Sequence, residues 1–252
     1  AAKKKKKPSR GGGSGGRSPD RTQGRIRQQE YQKTLMLRLS GGELNGHEVE
    51  VPNAFIRPMM GMVRQSLFSS LMSMGALDES TAVLDLFAGS GLLGLEGLSR
   101  GARNATFVDA SARCKACIEK NCERLGFTER STVVEAFAED VLAQPPKLGG
   151  IQQFQLVTMA PPYTEINWPE LMQVLVSSPA LVGDSVVVIE YPLELGMLPQ
   201  RLGGRLVGWR NKRFGRTVLA TYVCEPAHFD VQKAKMEEFG APGAADTFDP
   251  WG

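Results

Sequence analysis

An α/β protein with a mostly parallel, doubly wound sheet and an antiparallel C-terminal end is what the sequence predicts, and three observations carry that expectation. Short apolar strands alternate with helical stretches from residue 82 onward, the pattern that builds a parallel sheet covered by helices on both faces. The first of those strands runs straight into a glycine-rich turn at a helix start, which in open α/β sheets is a ligand-binding junction. Two late β-rich stretches, RLVGW and TVLATYVCE, follow one another without a helix between them, so they pair antiparallel at the end of the sheet. A hydrophobic share of 42% in 252 residues supplies core for one large domain or two small ones.

Residues 1 to about 30 consist largely of Lys, Arg, Gly, Ser and Pro and bury too little apolar surface to offset the entropy of ordering, so they read as a disordered arm. Residues 1 to 38 carry twelve basic and two acidic side chains, and the remainder carries 18 and 25. The net charge of +3 is thus an arm of +10 on a body of −7. Residues 31 to 56 contain two partly alternating apolar runs around Gly- and Asn-containing turns and form a small β module. In 58 to 75 the residues Met62, Leu67, Phe68, Leu71 and Met74 lie at roughly helical spacing, with Pro58 in the first turn and Gly75 at the end.

The α/β domain spans 57 to 228, with strands at 82 to 87, 105 to 109, 131 to 137, 154 to 159, 185 to 190, 205 to 209 and 217 to 225, and helices from Gly91, Ser111 and Pro169. Residues 229 to 252, rich in Gly, Ala, Pro and acidic groups, read as a flexible tail. No run approaches the ~18 to 20 apolar residues of a membrane-spanning helix, since Leu181 to Ile189 is interrupted by Asp184. Four cysteines are too few for a disulfide framework, and the start has no apolar stretch of a secretory signal. The compartment is therefore a reducing one, and the arm is either the remnant of a processed organellar precursor or a basic tail.

The sharpest motif is DLFAGSGLLGLEGLSRGA, Asp85 to Ala102. Phe87, Ala88, Gly89, Ser90 and Gly91 form the turn; Gly89, Gly91 and Gly94 have the G-x-G-x-x-G spacing, and Asp109 ends the next strand twenty residues after Gly89. Asp109 can accept both hydroxyls of a ribose. Taken alone this fits a dinucleotide fold as well, and a turn that merely packs helix on strand is the plainer alternative. Asp85 discriminates: a carboxylate near that turn repels a pyrophosphate, whereas S-adenosylmethionine carries an ammonium and a sulfonium and no phosphate.

A second motif, Ala160, Pro161, Pro162 and Tyr163, closes the fourth strand and faces the same crevice. The prolines fix the backbone and direct a carbonyl outward, and the tyrosine can stack on a planar base; in isolation a rigid turn with a core tyrosine is the preferred account. Cys114 and Cys117 form a lone C-x-x-C within a helix, far in sequence from His47 and His228, so no metal site is expected.

Together the two motifs resemble the class I methyltransferases that act on exocyclic amino groups. More narrowly, VLDLFAGSGLLGLEGLSRGARNATFVDAS with the Pro-Pro-Tyr turn, LRLSGGELNGHEVEVP, RPMMGMVRQSLFSSL and RFGRT resemble the bacterial and organellar family that methylates guanine N2 in small-subunit ribosomal RNA, over about residues 35 to 225. The resemblance implies a Rossmann-like fold and S-adenosylmethionine as methyl donor, contacting Asp85, Phe87, Ala88, Gly89, Ser90, Gly91 and Asp109, with Asp140 near its adenine. It also implies small-subunit ribosomal RNA, or the assembling subunit, as partner, and a monomer; Arg57, Arg64, Lys212 and Arg213 flank the segments expected around the crevice and can contact phosphates, a plain surface charge being the alternative for each.

The Arg-Pro-Met-Met string is more similar to plastid branches, which points to the chloroplast stroma ahead of cytoplasm or mitochondrial matrix. The family usually places Asp or Asn where this chain has Ala160, so one acceptor for the guanine amine is missing. A lost hydrogen bond of ~1.5 to 3 kcal/mol corresponds to roughly ten- to hundredfold in rate. Turnover is then weakened, rescued by a neighbour, or lost, the last leaving an RNA-binding assembly factor.

Overall fold

The computed structural model describes residues 36–54, 56–145, 153–163 and 166–240. The basic arm, 1 to 30, lies outside them. The chain opens with a two-stranded antiparallel unit, β1 (Leu37–Arg38) and β2 (Glu48–Val49), and helix α1 (Gly61–Ser73) follows. The main sheet then builds from β3 (Ala82–Leu86), β4 (Asn104–Asp109), β5 (Ser131–Glu135), β6 (Phe154–Met159), β7 (Leu181–Pro192), β8 (Arg201–Leu202), β9 (Leu206–Phe214) and β10 (Thr217–Cys224). Between them run α2 (Leu92–Ser99), α3 (Ala112–Leu125), α4 (Ala138–Ala143) and α5 (Trp168–Ser177).

The strand order is β5-β4-β3-β6-β7-β10-β9-β8. Strands β3 to β7 are parallel, and β10 inserts antiparallel between β7 and β9. Alternation along each strand sorts the side chains into two cores. Val83, Phe107, Leu156, Val188 and Leu219 pack under the α1, α2 and α3 side with Phe68, Leu71, Leu95 and Ile118. Leu84, Leu86, Val157, Ile189 and Ala220 face Val141, Leu142, Trp168, Leu171 and Leu175 of α4 and α5. Gly94 permits close approach in the first layer: a Cβ there would lie 2.3 Å from the Phe107 ring.

One buried ionic cluster fastens the N-terminal unit to the sheet domain. Glu96 of α2 accepts from Arg64 Nε at 2.5 Å, from Ser40 N at 2.7 Å and Ser40 Oγ at 2.8 Å, and pairs with Arg100. Arg64 also donates to the carbonyls of Met59 and Arg38. Nearby, Ser99 Oγ donates to Gly41 O and accepts from Leu44 N.

Several details differ from the sequence expectation: β8 was not among the expected strands, and β9 runs to Phe214 instead of ending at 209. Helix α1 begins at Gly61 rather than Pro58, and Met62 is 81% exposed; the buried face is Val63, Arg64, Leu67, Phe68 and Leu71. The third parallel strand stops at Glu135, and the short helix α4 follows it. Strand β7 extends beyond 185 to 190 at both ends. Residues 229 to 240 are not a loose tail: Phe239 packs edge-on to Tyr222 with ring centroids 5.2 Å apart, and Glu238 binds Arg210. Residues 241 to 252 lie outside the described part. Among the described residues no helix is long and apolar enough to cross a membrane.

Candidate active site

The chain leaves β3, runs outward through β4 and β5, and returns to β6 on the other side of β3. At such a switch point the two neighbouring strands send their loops in opposite directions and leave a crevice outside their carboxyl ends. The glycine-rich turn after β3 and the Ala160 turn after β6 flank it, and Ala160 N reaches Leu86 O at 3.5 Å.

The first turn is held by carboxylates. Phe87, Gly89 and Gly91 have φ of 57, 57 and 76°, left-handed values natural for glycine and strained for Phe87, whose ring packs on the core. Ala88 N bonds Val108 O. Asp109 Oδ2 accepts from Gly89 N at 2.8 Å and Oδ1 from Ser111 N at 2.9 Å, so one residue fixes both the turn and the start of α3 while remaining partly exposed. Asp85 is 1% exposed, with Oδ2 accepting from Gly94 N at 2.9 Å and Oδ1 from Thr158 Oγ1 at 2.8 Å. Burial, with a smaller push from Asp109, raises its pKa to about 7 against the two hydrogen bonds.

From its place in the motif Asp85 is expected beside the ligand. The structure instead puts it beneath the turn, where it acts by holding Gly94, because its strand parity points it into the α2 layer. Ser90 is likewise buried; its carbonyl accepts from Asn121 Nδ2, which also clasps Glu50 O while Asn121 Oδ1 takes Glu50 N. Asp140 sits exposed in the first turn of α4.

These contacts test which ligand fits. An anion nest needs free, convergent N–H groups, and the N–H groups of Gly89 and Gly94 are already committed to carboxylates. With Asp109 facing the crevice, the turn suits a cationic, phosphate-free ligand bearing a ribose. Phe137, 66% exposed and one residue beyond the Ala136 N to Asp109 O bond, adds an apolar platform beside it. No motif in the sequence singles out Phe137; its one signal is an aromatic just beyond the carboxyl end of a parallel strand.

The second turn is equally ordered. Pro161 is buried and Pro162 exposed. Tyr163 Oη donates to Glu190 Oε1 at 3.0 Å and contacts Thr217 Oγ1 at 3.1 Å, while the Arg57 guanidinium lies 4.6 Å from its ring centroid and donates to Thr217 Oγ1 at 2.9 Å. Burial and the adjacent Glu190 hold the Tyr163 phenol up at about 12. One face of this ring is therefore covered by Arg57.

Of the four expected phosphate contacts, Arg57, Lys212 and Arg213 are exposed at this end of the molecule, Lys212 bonding Ser66 of α1 and Arg213 the carbonyl of Gly215. Arg64 is a correction: at 3% exposure and paired with Glu96, it cannot reach a phosphate. Cys114 and Cys117 are buried, with burial pushing both thiols to about 11, and among the described residues no group of His, Cys, Asp and Glu could hold a metal ion.

An antiparallel strand inserted between the last two strands of a parallel sheet, together with a glycine-rich turn whose Gly89 and Gly94 N–H groups are held by carboxylates, is the arrangement of a class I methyltransferase, the class that draws its methyl group from S-adenosylmethionine. The chain belongs to the family described as Conserved hypothetical protein 95, whose model matches residues 37–223. YlbH of Bacillus subtilis, described as a candidate rRNA methyltransferase, is 30% identical over 187 residues, covering 74% of this chain and 98% of that protein. Ribosomal RNA small subunit methyltransferase D of Escherichia coli is 30% identical over 162 residues, or 64% of this chain and 77% of its own. The solved structure of yhhF from Escherichia coli, a candidate methyltransferase, superimposes with a TM-score of 0.64 at 28% identity, covering 77% of this chain and all of that one.

Proposed function

We propose that the protein transfers a methyl group from S-adenosylmethionine to the exocyclic N2 amine of a guanine in small-subunit ribosomal RNA. The observation that carries this reading is the shared crevice: the Asp109-braced turn and the Ala160 to Tyr163 turn meet at one switch point, so a donor and a planar base are brought to one place. The names of the relatives, one an rRNA methyltransferase of the small subunit, support the substrate class.

Asp109 would hold the donor's ribose, the backbone from Phe87 to Gly91 its methionine part, and Phe137 and the Asp140 turn its adenine; when bound, the donor supplies an electrophilic methyl carbon. This chain's own groups do the rest. The fixed backbone of Pro161 turns its carbonyl toward the amine, and Tyr163 and Arg57 present planar faces to the base. Holding the amine in line matters because its lone pair is delocalised into the ring and unreactive in a random approach. Arg57, Lys212 and Arg213 would contact phosphates nearby, and the basic arm would add attraction without sequence preference. A monomer in the chloroplast stroma completes the proposal, the compartment resting on the Arg-Pro-Met-Met string.

Ala160 favours a second reading, an RNA-binding assembly factor without turnover. The test is methyl transfer from labelled donor to immature small subunits, with the modified nucleotide identified by nuclease digestion and mass spectrometry. A labelled N2-methylguanine supports the first reading. Donor and particle binding with no label incorporated supports the second.

A further inference from the structure

We propose that Glu190 is the acceptor of the guanine amine's proton, standing in for the side chain that Ala160 lacks; the inference rests on the methyl-transfer reading above. Strands β6 and β7 are parallel and pair Met159 with Ile189, so Ala160 and Glu190 come next on adjacent strands. Their parity sets both on the α1 side: Ala160 packs with the core cluster that holds Leu156 and Val188, and Glu190 pairs across β10 with Leu219 of that same cluster.

The Glu190 carboxylate is a built feature. It is 5% exposed; Oε1 accepts from Tyr163, and Oε2 is buried with no hydrogen-bond partner among the described residues. Buried carboxylate oxygens are expected to be satisfied, and an unpaired one beside a base-binding turn keeps an acceptor site unused. Tyr163, half-buried, bonds Oε1, and Arg57, exposed, lies over its ring; in this proposal the two side chains shift as the base binds and Oε2 becomes reachable.

In the step itself the amine nitrogen forms the new bond to the methyl carbon with its lone pair, and the pair of the carbon–sulfur bond stays on sulfur. One N–H bond then breaks, its electron pair remaining on nitrogen and its proton passing to Glu190. A sulfonium and a carboxylate thus become a thioether and a carboxylic acid, and charge balances.

The experiment measures single-turnover methyl transfer to small-subunit particles for the wild type, Glu190→Gln, Ala160→Asp and the double variant, with donor affinity measured alongside. Gln is isosteric and keeps an acceptor for Tyr163, so folding is checked by the thermal midpoint. The expected result is a fall of at least tenfold for Glu190→Gln at unchanged donor affinity. Most of the rate should return in the double variant. A Glu190→Gln rate equal to wild type, or a slow variant that Ala160→Asp does not rescue, overturns the proposal while leaving the methyl-transfer reading in place. A wild type that binds donor yet methylates no particle overturns that reading, and the role of Glu190 with it.

Discussion

Replacing Glu96 by Gln should be among the most damaging single changes in the protein. The carboxylate is fully buried and sits between two guanidiniums, Arg64 and Arg100, with Ser40 supplying two further donors. Gln keeps the shape and one acceptor oxygen, so what the change removes is the charge. Arg64 is then left buried without a counter-charge and beside a second cation, whose own pKa is already drawn down to about 10 by burial and by Arg64.

Removing one partner of a buried pair costs about 3 to 5 kcal/mol, a large part of a typical stability of roughly 5 to 15. With a urea m-value near ~2.5 kcal/mol/M, the midpoint should fall by roughly 1.2 to 2 M. Hydrogen exchange at Leu39 and Ser40 should speed first, because their unit is docked through this cluster. Glu96→Gln combined with Arg64→Met should recover part of the loss. A midpoint shift worth less than about 1 kcal/mol would refute the view that this cluster fastens the N-terminal unit.

Three other outcomes follow from the same contacts. Asp85 has a folded pKa raised to about 7 from 3.8, so its contribution to stability is full below pH ~4 and is lost as pH rises through ~7, by up to ~4 kcal/mol; Asp85→Asn, read by urea melts at pH 4, 5.5 and 8, should abolish that component of the slope, and a wild-type-minus-variant difference that does not change with pH would contradict it. Gly94→Ala drives a methyl group into the Phe107 ring and should cost ~1 to 3 kcal/mol, with partial relief from Phe107→Leu in thermal melts; an unaffected melting temperature would mean the helix shifts freely. Deleting residues 1 to 30 should weaken binding to any RNA and flatten its salt dependence without changing the modified nucleotide; an unaltered salt slope would assign the arm another task.

The parallel part of the sheet was legible because β3, β4 and β6 are short, apolar and bounded by turn signals, and the glycine spacing located the donor turn without any tertiary information. Side-chain direction was not. Asp85 reads as a ligand neighbour when only distance along the chain is counted, but strand parity buries it under Gly94. Arg64 looks like a surface charge until it is set at i, i+3, i+4 and i+7 with Leu67, Phe68 and Leu71, a pattern that places it on the buried face of α1. Glu190 is the case that no local signal reveals: it ends an apolar run and becomes interesting only when the register lays β7 beside β6 and aligns it with Ala160. Residues 229 to 240 misled through composition, since two aromatics, Phe229 against Trp209 and Phe239 against Tyr222, and the Glu238–Arg210 pair dock an otherwise polar segment.

Calorimetric titration of the wild type and Asp109→Ala with S-adenosylmethionine and with NAD tests the donor crevice most directly. The wild type should bind the methyl donor and not NAD, because Asp109 and Asp85 hold two N–H groups of the turn and set carboxylates where a pyrophosphate would lie. Asp109→Ala removes the ribose acceptor and the brace on Gly89 together, and should weaken donor binding by ~1.5 to 3 kcal/mol or more, roughly ten- to 150-fold. NAD binding without donor binding, or a donor affinity that Asp109→Ala leaves unchanged, would contradict the account.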